Sequence, residues 1–361
     1  MKSTEELVSH WIRSEIQDLS AYHVPDPGNL IKLDAMENPY TWPDAMVEEW
    51  LELLRSVPLN RYPDPAAPKV VTALREALAI PADAGVLLGN GSDELIQMMA
   101  MAVAGPDRAV MAPEPGFVMY RMVGRFTGMR YCGVALREDD FELDMPAMRE
   151  AIEREAPALL FLSYPNNPTG NLWSAEEIRE LIELTPGLVV IDEAYAPFAE
   201  ATLMGLITEY PNVVVMRTVS KMGLAGLRLG LLVGAPAWVE EFDKVRLPYN
   251  INVLTQASAE FALRHRAVFD AQTAEIRAQR ETLTEALRKL TPLQVYPSKA
   301  NFLLIRVPAG RAGELFKALK EEGILIKNLS TAGGSLADCL RVTVGTPEEN
   351  RALINAFSKR L

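Results

Sequence analysis

Between about residues 70 and 235, short apolar runs of β-type residues alternate with stretches whose apolar positions recur at helical spacing. That alternation predicts a parallel sheet covered by helices. The runs at 85–88, 109–112, 159–163, 188–192, 213–218 and 229–234 are the expected strands. Several are unbroken in Val, Leu and Ile, as strands buried on both faces must be. Helices are expected between them at 93–103, 145–155 and 174–184, with Ser92 capping the first and Ser174 with Glu177 forming a capping box for the third. A long helix of mixed charged and apolar residues is expected from about 255 to 290.

Beyond Pro292 the rhythm shortens, with strands expected at 294–296, 301–307, 324–328 and 340–344 around a helix at 313–322. This reads as an α+β unit that the first fifty residues join. A chain of 361 residues exceeds what one hydrophobic core usually holds. The expected organisation is an N-terminal segment, 1–50, joining the small domain, then a large ligand-binding α/β domain, 51–290, and a small α+β domain, 291–361. Pro and Gly mark loops at 26–28 and 62–65, and there is no internal repeat.

Composition removes several function classes. Lys plus Arg total 36 against 48 Asp plus Glu, a net charge of -12, so the chain has no general attraction for nucleic acid or an anionic membrane. Cys132 and Cys339 stand far apart, and His10, His23 and His265 form no metal-ligand spacing, so neither a disulfide framework nor a metal site is expected. No apolar stretch of about 18 residues is free of charge, and the N-terminus lacks the apolar core of a signal peptide. A cytoplasmic location is the expectation.

Four segments carry candidate chemistry. In NVVVMRTVSKMGLAGLRLGLLVG, 212–234, the charges are Arg217, Lys221 and Arg228, all positive. Lys221 and Arg228 lie in a Gly-rich turn after a strand, where the backbone approaches a ligand closely and a desolvated lysine becomes a nucleophilic amine; solvated strand ends are the bland alternative. In LVVIDEAY, Asp192 ends an apolar run at the sheet edge where open α/β folds bind ligands, or else caps the turn that follows. LGNGSDEL, 88–95, is a strand, a Gly-rich turn and a helix start suited to one phosphate group, though simple capping by Ser92 needs no ligand. YPNNPTG, 164–170, is a rigid polar turn directly after a strand.

Together these elements match the demands of pyridoxal phosphate: an amine for its aldehyde, a carboxylate for its ring nitrogen and a helix N-terminus for its phosphate. GNGSDE, PGFVMY, NNPTG, DEAY and SK-x(6)-R, in this order, resemble the fold-type I aminotransferases. RYPDP, LDAMENPY, PYNINVL and CLRVTVGT narrow the likeness to the histidinol-phosphate aminotransferase family, over about residues 22–345. The resemblance implies an α/β fold with a mostly parallel seven-stranded sheet in the large domain and a smaller α+β domain from both termini. It implies a homodimer with shared active sites, acting in histidine biosynthesis on L-histidinol phosphate and 2-oxoglutarate, with L-glutamate as product.

By the same resemblance Lys221 binds the cofactor aldehyde and later carries the proton, while Asp192 pairs with the ring nitrogen. Asn167 and Tyr195 bond the phenolic oxygen, and Phe117 stacks on the ring. Ser92, Asp93, Ser220 and Arg228 hold the phosphate, with Tyr62 reaching the phosphate of the neighbouring subunit. Arg341 recognises the anionic end of the substrate, Lys327 adds a second cation, and Tyr22 and Asn38 are further substrate contacts. The chain departs from the common pattern in two places. Arg228 follows Lys221 by seven positions where several aminotransferase groups use eight, and Met36 makes AMENP of the more usual ANENP. The alternatives are a lyase on the same scaffold, such as a threonine-phosphate decarboxylase, an aromatic amino-acid aminotransferase, and a non-catalytic relative.

Overall fold

The computed structural model describes residues 2–21 and 24–361. Strand β1 (Ile31–Lys32) is short, and the next seven strands form one sheet. They are β2 (Gly85–Asn90), β3 (Ala109–Glu114), β4 (Arg130–Ala135), β5 (Leu159–Ser163), β6 (Leu188–Asp192), β7 (Val213–Thr218) and β8 (Leu229–Gly234). Their spatial order is β2-β8-β7-β6-β5-β3-β4. Pairs among β3 to β7 are parallel, and β8 runs antiparallel to both β7 and β2. The reversal has a simple cause: the connection from β7 to β8 is too short for a crossover, so the chain turns straight back. That connection carries Lys221 and Arg228.

The unbroken apolar runs are explained by two cores. In β6, Val189 and Ile191 pack into one hydrophobic cluster and Leu188 and Val190 into another on the opposite face. Strand β7 divides in the same way, with Val213 and Val215 on one side and Val214 and Met216 on the other. The strand that the pattern did not predict, β4, lies at the sheet edge and buries only Val134.

Three helix details differ from expectation. The helix after β2 runs Gly91–Val103 with Asn90 as its N-cap, so Ser92 lies inside the first turn and does not cap it. Instead the Asn90 N–H donates to Glu94 Oε2 at 2.7 Å. Ser174 accepts the Glu177 N–H at 3.3 Å, but its own hydroxyl donates to Glu176, so only half of the expected box forms. The long helix is two helices, Val253–Arg264 and Arg266–Arg288, broken at His265. The second helix passes from one core to the other along its length, with Phe269 still packed on the large-sheet side. Phe261 and Leu263 pack with the large sheet, while Ile276, Leu283 and Leu287 pack with the C-terminal strands.

Those strands are β9 (Gln294–Val295), β10 (Phe302–Arg306), β11 (Ile324–Leu325), β12 (Lys327–Asn328) and β13 (Cys339–Thr343). An antiparallel sheet has the order β12-β13-β10-β9, while β11 pairs in parallel with β1. The single strand expected at 324–328 is thus divided between two sheets. The N-terminal segment is tied in further by the Thr343 N–H, which donates to the Leu33 carbonyl at 2.9 Å. Among the described residues no helix is long and apolar enough to cross a membrane. None of their His, Cys, Asp and Glu side chains group to hold a metal ion.

Candidate active site

The C-terminal ends of the parallel strands and the start of helix Gly91–Val103 border a cavity of about 100 Å³. Nine residues expected from the sequence line it: Ser92, Asp93, Phe117, Asn167, Asp192, Tyr195, Ser220, Lys221 and Arg228. Met36, Ser163, Ala194 and Thr218 complete the wall and were not anticipated as site residues. Ser163 and Thr218 end strands β5 and β7, so the sheet edge that pointed to Asp192 pointed to them as well.

Asp192 is the last residue of β6 and is buried. Its Oδ2 accepts the Tyr120 hydroxyl at 2.6 Å and its Oδ1 the Ala194 N–H at 3.0 Å. Burial outweighs these bonds and raises the carboxyl to about 6. An anion held there at neutral pH suits a cationic partner entering the cavity.

Lys221 follows β7 in a tight turn, Ser220–Leu224, closed by Gly223 at φ 128°. Its Nζ donates to the Ala35 carbonyl at 3.2 Å and lies 5.8 Å from the centre of the Tyr195 ring. Burial first, and the Arg341 charge second, lower the ammonium to about 8. The amine is therefore partly neutral, and nucleophilic, close to physiological pH.

At the other end of the cavity, Arg228 adopts a left-handed backbone (φ 49°) and its Nη2 donates to Asp93 Oδ2 at 3.1 Å. Gly91, at φ 75°, makes that approach possible, since a Cβ there would stand 2.7 Å from Nη2. Thr218 Oγ1 donates to Ser220 Oγ at 2.8 Å and accepts the Ser220 N–H. A helix N-terminus, two hydroxyls and a guanidinium form a cradle for one small anion. Arg217, the third cation of that segment, instead pairs with the buried Glu193 outside this cradle.

Asn167 Nδ2 donates to the Tyr195 hydroxyl at 3.0 Å, and Asn167 Oδ1 accepts from Arg341 Nη1 at 2.6 Å. Burial holds the Tyr195 phenol well above its ordinary range, so it stays protonated. Arg341 is buried on β13, with Nη2 donating to the Asp34 carbonyl at 3.1 Å and its guanidinium 5.4 Å from the Phe302 ring. Lys327 is its direct partner across the antiparallel β12–β13 ladder, which sets both cations on one face.

Four expected residues among those described are not part of the cavity wall: Arg341, which reaches it through Asn167, and Tyr62, Asn38 and Lys327. Tyr62 is exposed and stacks on Tyr249 at 4.5 Å. The Asn38 carboxamide is committed to the Met222 carbonyl and Gln272 Oε1, both at 2.9 Å, and so supports the turn beside Lys221. Lys327 does not line the cavity, and Tyr22 lies outside the described residues.

Comparison with known proteins agrees with this geometry. Residues 28–357 match the family described as aminotransferase class I and II. The histidinol-phosphate aminotransferase 2 of Nitrosococcus oceani is 58% identical over 354 residues, covering 98% of both chains. The histidinol-phosphate aminotransferase of Chromobacterium violaceum is 51% identical over 352 residues, again with 98% of each covered. The crystal structure of the histidinol-phosphate aminotransferase from Sinorhizobium meliloti in complex with pyridoxal-5'-phosphate superposes with a TM-score of 0.85. It is 24% identical, with 97% of each chain covered.

Proposed function

The chain belongs to the class I and II aminotransferase family, and from that premise we propose that it moves the amino group of L-histidinol phosphate to 2-oxoglutarate. The products are imidazole acetol phosphate and L-glutamate, the reaction is a step of histidine biosynthesis, and the cofactor is pyridoxal 5'-phosphate. The observation that carries this reading is majority identity to the Nitrosococcus enzyme along nearly the whole of both chains.

The cavity residues fit the cofactor: a buried carboxylate, a desolvated amine and an anion cradle whose guanidinium needs the bare backbone of Gly91. When bound, pyridoxal phosphate supplies an aldehyde that captures amines and a protonated ring that withdraws electrons. Asp192 would hold the proton of the ring nitrogen. Ser92 and Asp93 backbone amides, Ser220 and Arg228 would hold the phosphate, and Phe117 would lie against the ring face. Asn167 and Tyr195 would hydrogen-bond the phenolic oxygen.

Lys221 would hold the cofactor's aldehyde, and its amine would serve as the base that takes the proton from the substrate's α-carbon. Its lowered pKa leaves enough neutral amine for both tasks at neutral pH. Arg341 would receive the phosphate of one substrate and the distal carboxylate of the other, since a planar guanidinium binds either bidentately. Lys327 adds charge for the dianion.

The working form in this reading is a cytoplasmic homodimer. Tyr62, Leu59 and Leu247 are exposed apolar side chains. Arg246 Nη1 donates to the Pro65 carbonyl at 3.1 Å and joins the two segments that carry them. A second copy covering this face would bring Tyr62 toward its partner's phosphate. The test is to supply pyridoxal phosphate and 2-oxoglutarate with L-histidinol phosphate, phenylalanine or threonine phosphate in separate reactions. Glutamate should form fastest with histidinol phosphate, and carbon dioxide release from threonine phosphate would support the lyase instead.

A further inference from the structure

Tyr120 lies behind the cavity wall, on helix Val118–Phe126, and is 2% exposed. Its ring stacks on Phe161 at 4.4 Å and 9° and meets Phe117 edge-on at 5.5 Å, so the hydroxyl has one direction in which to point. It points at Asp192 Oδ2, 2.6 Å away. We propose that Tyr120 is a positioning residue for the reaction, its buried hydroxyl fixing and stabilising the Asp192 carboxylate that faces the cofactor's ring nitrogen. The proposal rests on the pyridoxal phosphate reading and adds to it a residue that does not line the cavity.

The physical case is one of competing terms. Asp192 is surrounded by groups that oppose its charge: burial, the Asp93 carboxylate at the helix start and Glu193 next in sequence. Against them stand two donors, the Ala194 N–H and the Tyr120 O–H. The Ala194 amide is part of the backbone turn and holds Oδ1 only. Tyr120 holds the second oxygen, and burial beside Asp192 keeps its phenol protonated far above neutral pH, so it donates throughout the working range. The other titratable groups at the cavity, Tyr195 and Lys221, point elsewhere: their hydrogen bonds go to Met36 and Ala35. Without Tyr120, a carboxyl already raised to about 6 would hold its proton near neutrality and give the ring nitrogen no anion.

Tyr120→Phe tests this, because phenylalanine keeps the stack on Phe161 and removes only the donor. Two readouts are needed on folded protein: the ¹³C-carboxyl titration of Asp192 without cofactor, assigned by its loss in Asp192→Asn, and the Kd for pyridoxal phosphate against pH. The variant should titrate about one unit higher or more, since a hydrogen bond to a charged group is worth about that much. Its cofactor affinity should fall about tenfold near pH 7 and recover as pH rises. An unchanged titration and unchanged affinity in a variant whose parent binds pyridoxal phosphate overturns the role of Tyr120 alone. A parent that takes up no pyridoxal phosphate overturns the cofactor reading and this proposal with it.

Discussion

Arg341, in the middle of the C-terminal sheet, donates from Nη1 to Oδ1 of Asn167, in the turn after β5, at 2.6 Å. Asn167 in turn donates to the Tyr195 hydroxyl. A single carboxamide therefore links the arginine proposed to read the substrate with the groups proposed to tune the cofactor. Anion binding at Arg341 is coupled in this way to the orientation of Asn167.

Arg341→Lys should weaken both half-reactions. A compact ammonium offers no fork for carboxylate or phosphate, and each substrate loses a charge-assisted bond worth about 1.5–3 kcal/mol. Single-turnover rates with glutamate and with histidinol phosphate should each fall roughly tenfold or more in kcat/KM. If either substrate is spared, Arg341 is not the shared anchor.

Lys327→Ala should separate the two substrates. Lys327 faces Arg341 across the ladder, and a second cation matters most to a dianionic phosphate. Expect KM for histidinol phosphate to rise several-fold or more while KM for glutamate changes little. Equal effects on both would assign Lys327 a general role in the sheet.

Lys221→Met should abolish turnover yet stabilise the cofactor-free chain at neutral pH. The lysine titrates near 10.5 when unfolded and about 8 when folded, so between those values the unfolded chain binds the extra proton and stability rises with pH. Below about pH 8 the buried ammonium costs its full amount, about 1–3 kcal/mol. Thermal unfolding should show the variant gaining at pH 7 and the gain shrinking toward pH 10. A variant less stable than its parent at pH 7 would contradict the desolvation of Lys221.

Gly91→Ala should damage the anion cradle. The left-handed backbone costs alanine about 1 kcal/mol, and the new Cβ would displace the Arg228 guanidinium from its place 2.7 Å away. Pyridoxal phosphate affinity should fall about tenfold or more by equilibrium titration, with Asp93→Asn as a milder control. Wild-type affinity would remove Arg228 from the cradle.

Much of this arrangement is legible in the chain itself. The apolar runs that end in Asp192 and Thr218 locate the sheet edge, because strands buried on both faces admit few polar residues until they emerge. Strand β4 was not legible, since at an edge its polar and small residues carry no burial pattern. The break at His265 was equally hidden, since no Gly or Pro marks it and the mix of charged and apolar residues continues through it. Tyr120 ends the PGFVMY segment, but only the folded chain shows that it lies behind the cavity wall with its hydroxyl on Asp192. The two-residue shift of the helix start, which removes Ser92 as cap, follows from the freedom of Gly91 to adopt φ 75°.

The most direct test of the account follows the nitrogen atom. L-Histidinol phosphate carrying ¹⁵N on its amine, mixed with 2-oxoglutarate and the holoenzyme, should yield [¹⁵N]glutamate in step with imidazole acetol phosphate. Lys221→Ala should yield neither. Glutamate without the label, no glutamate at all, or label transfer that persists in Lys221→Ala would contradict amino-group transfer through this lysine.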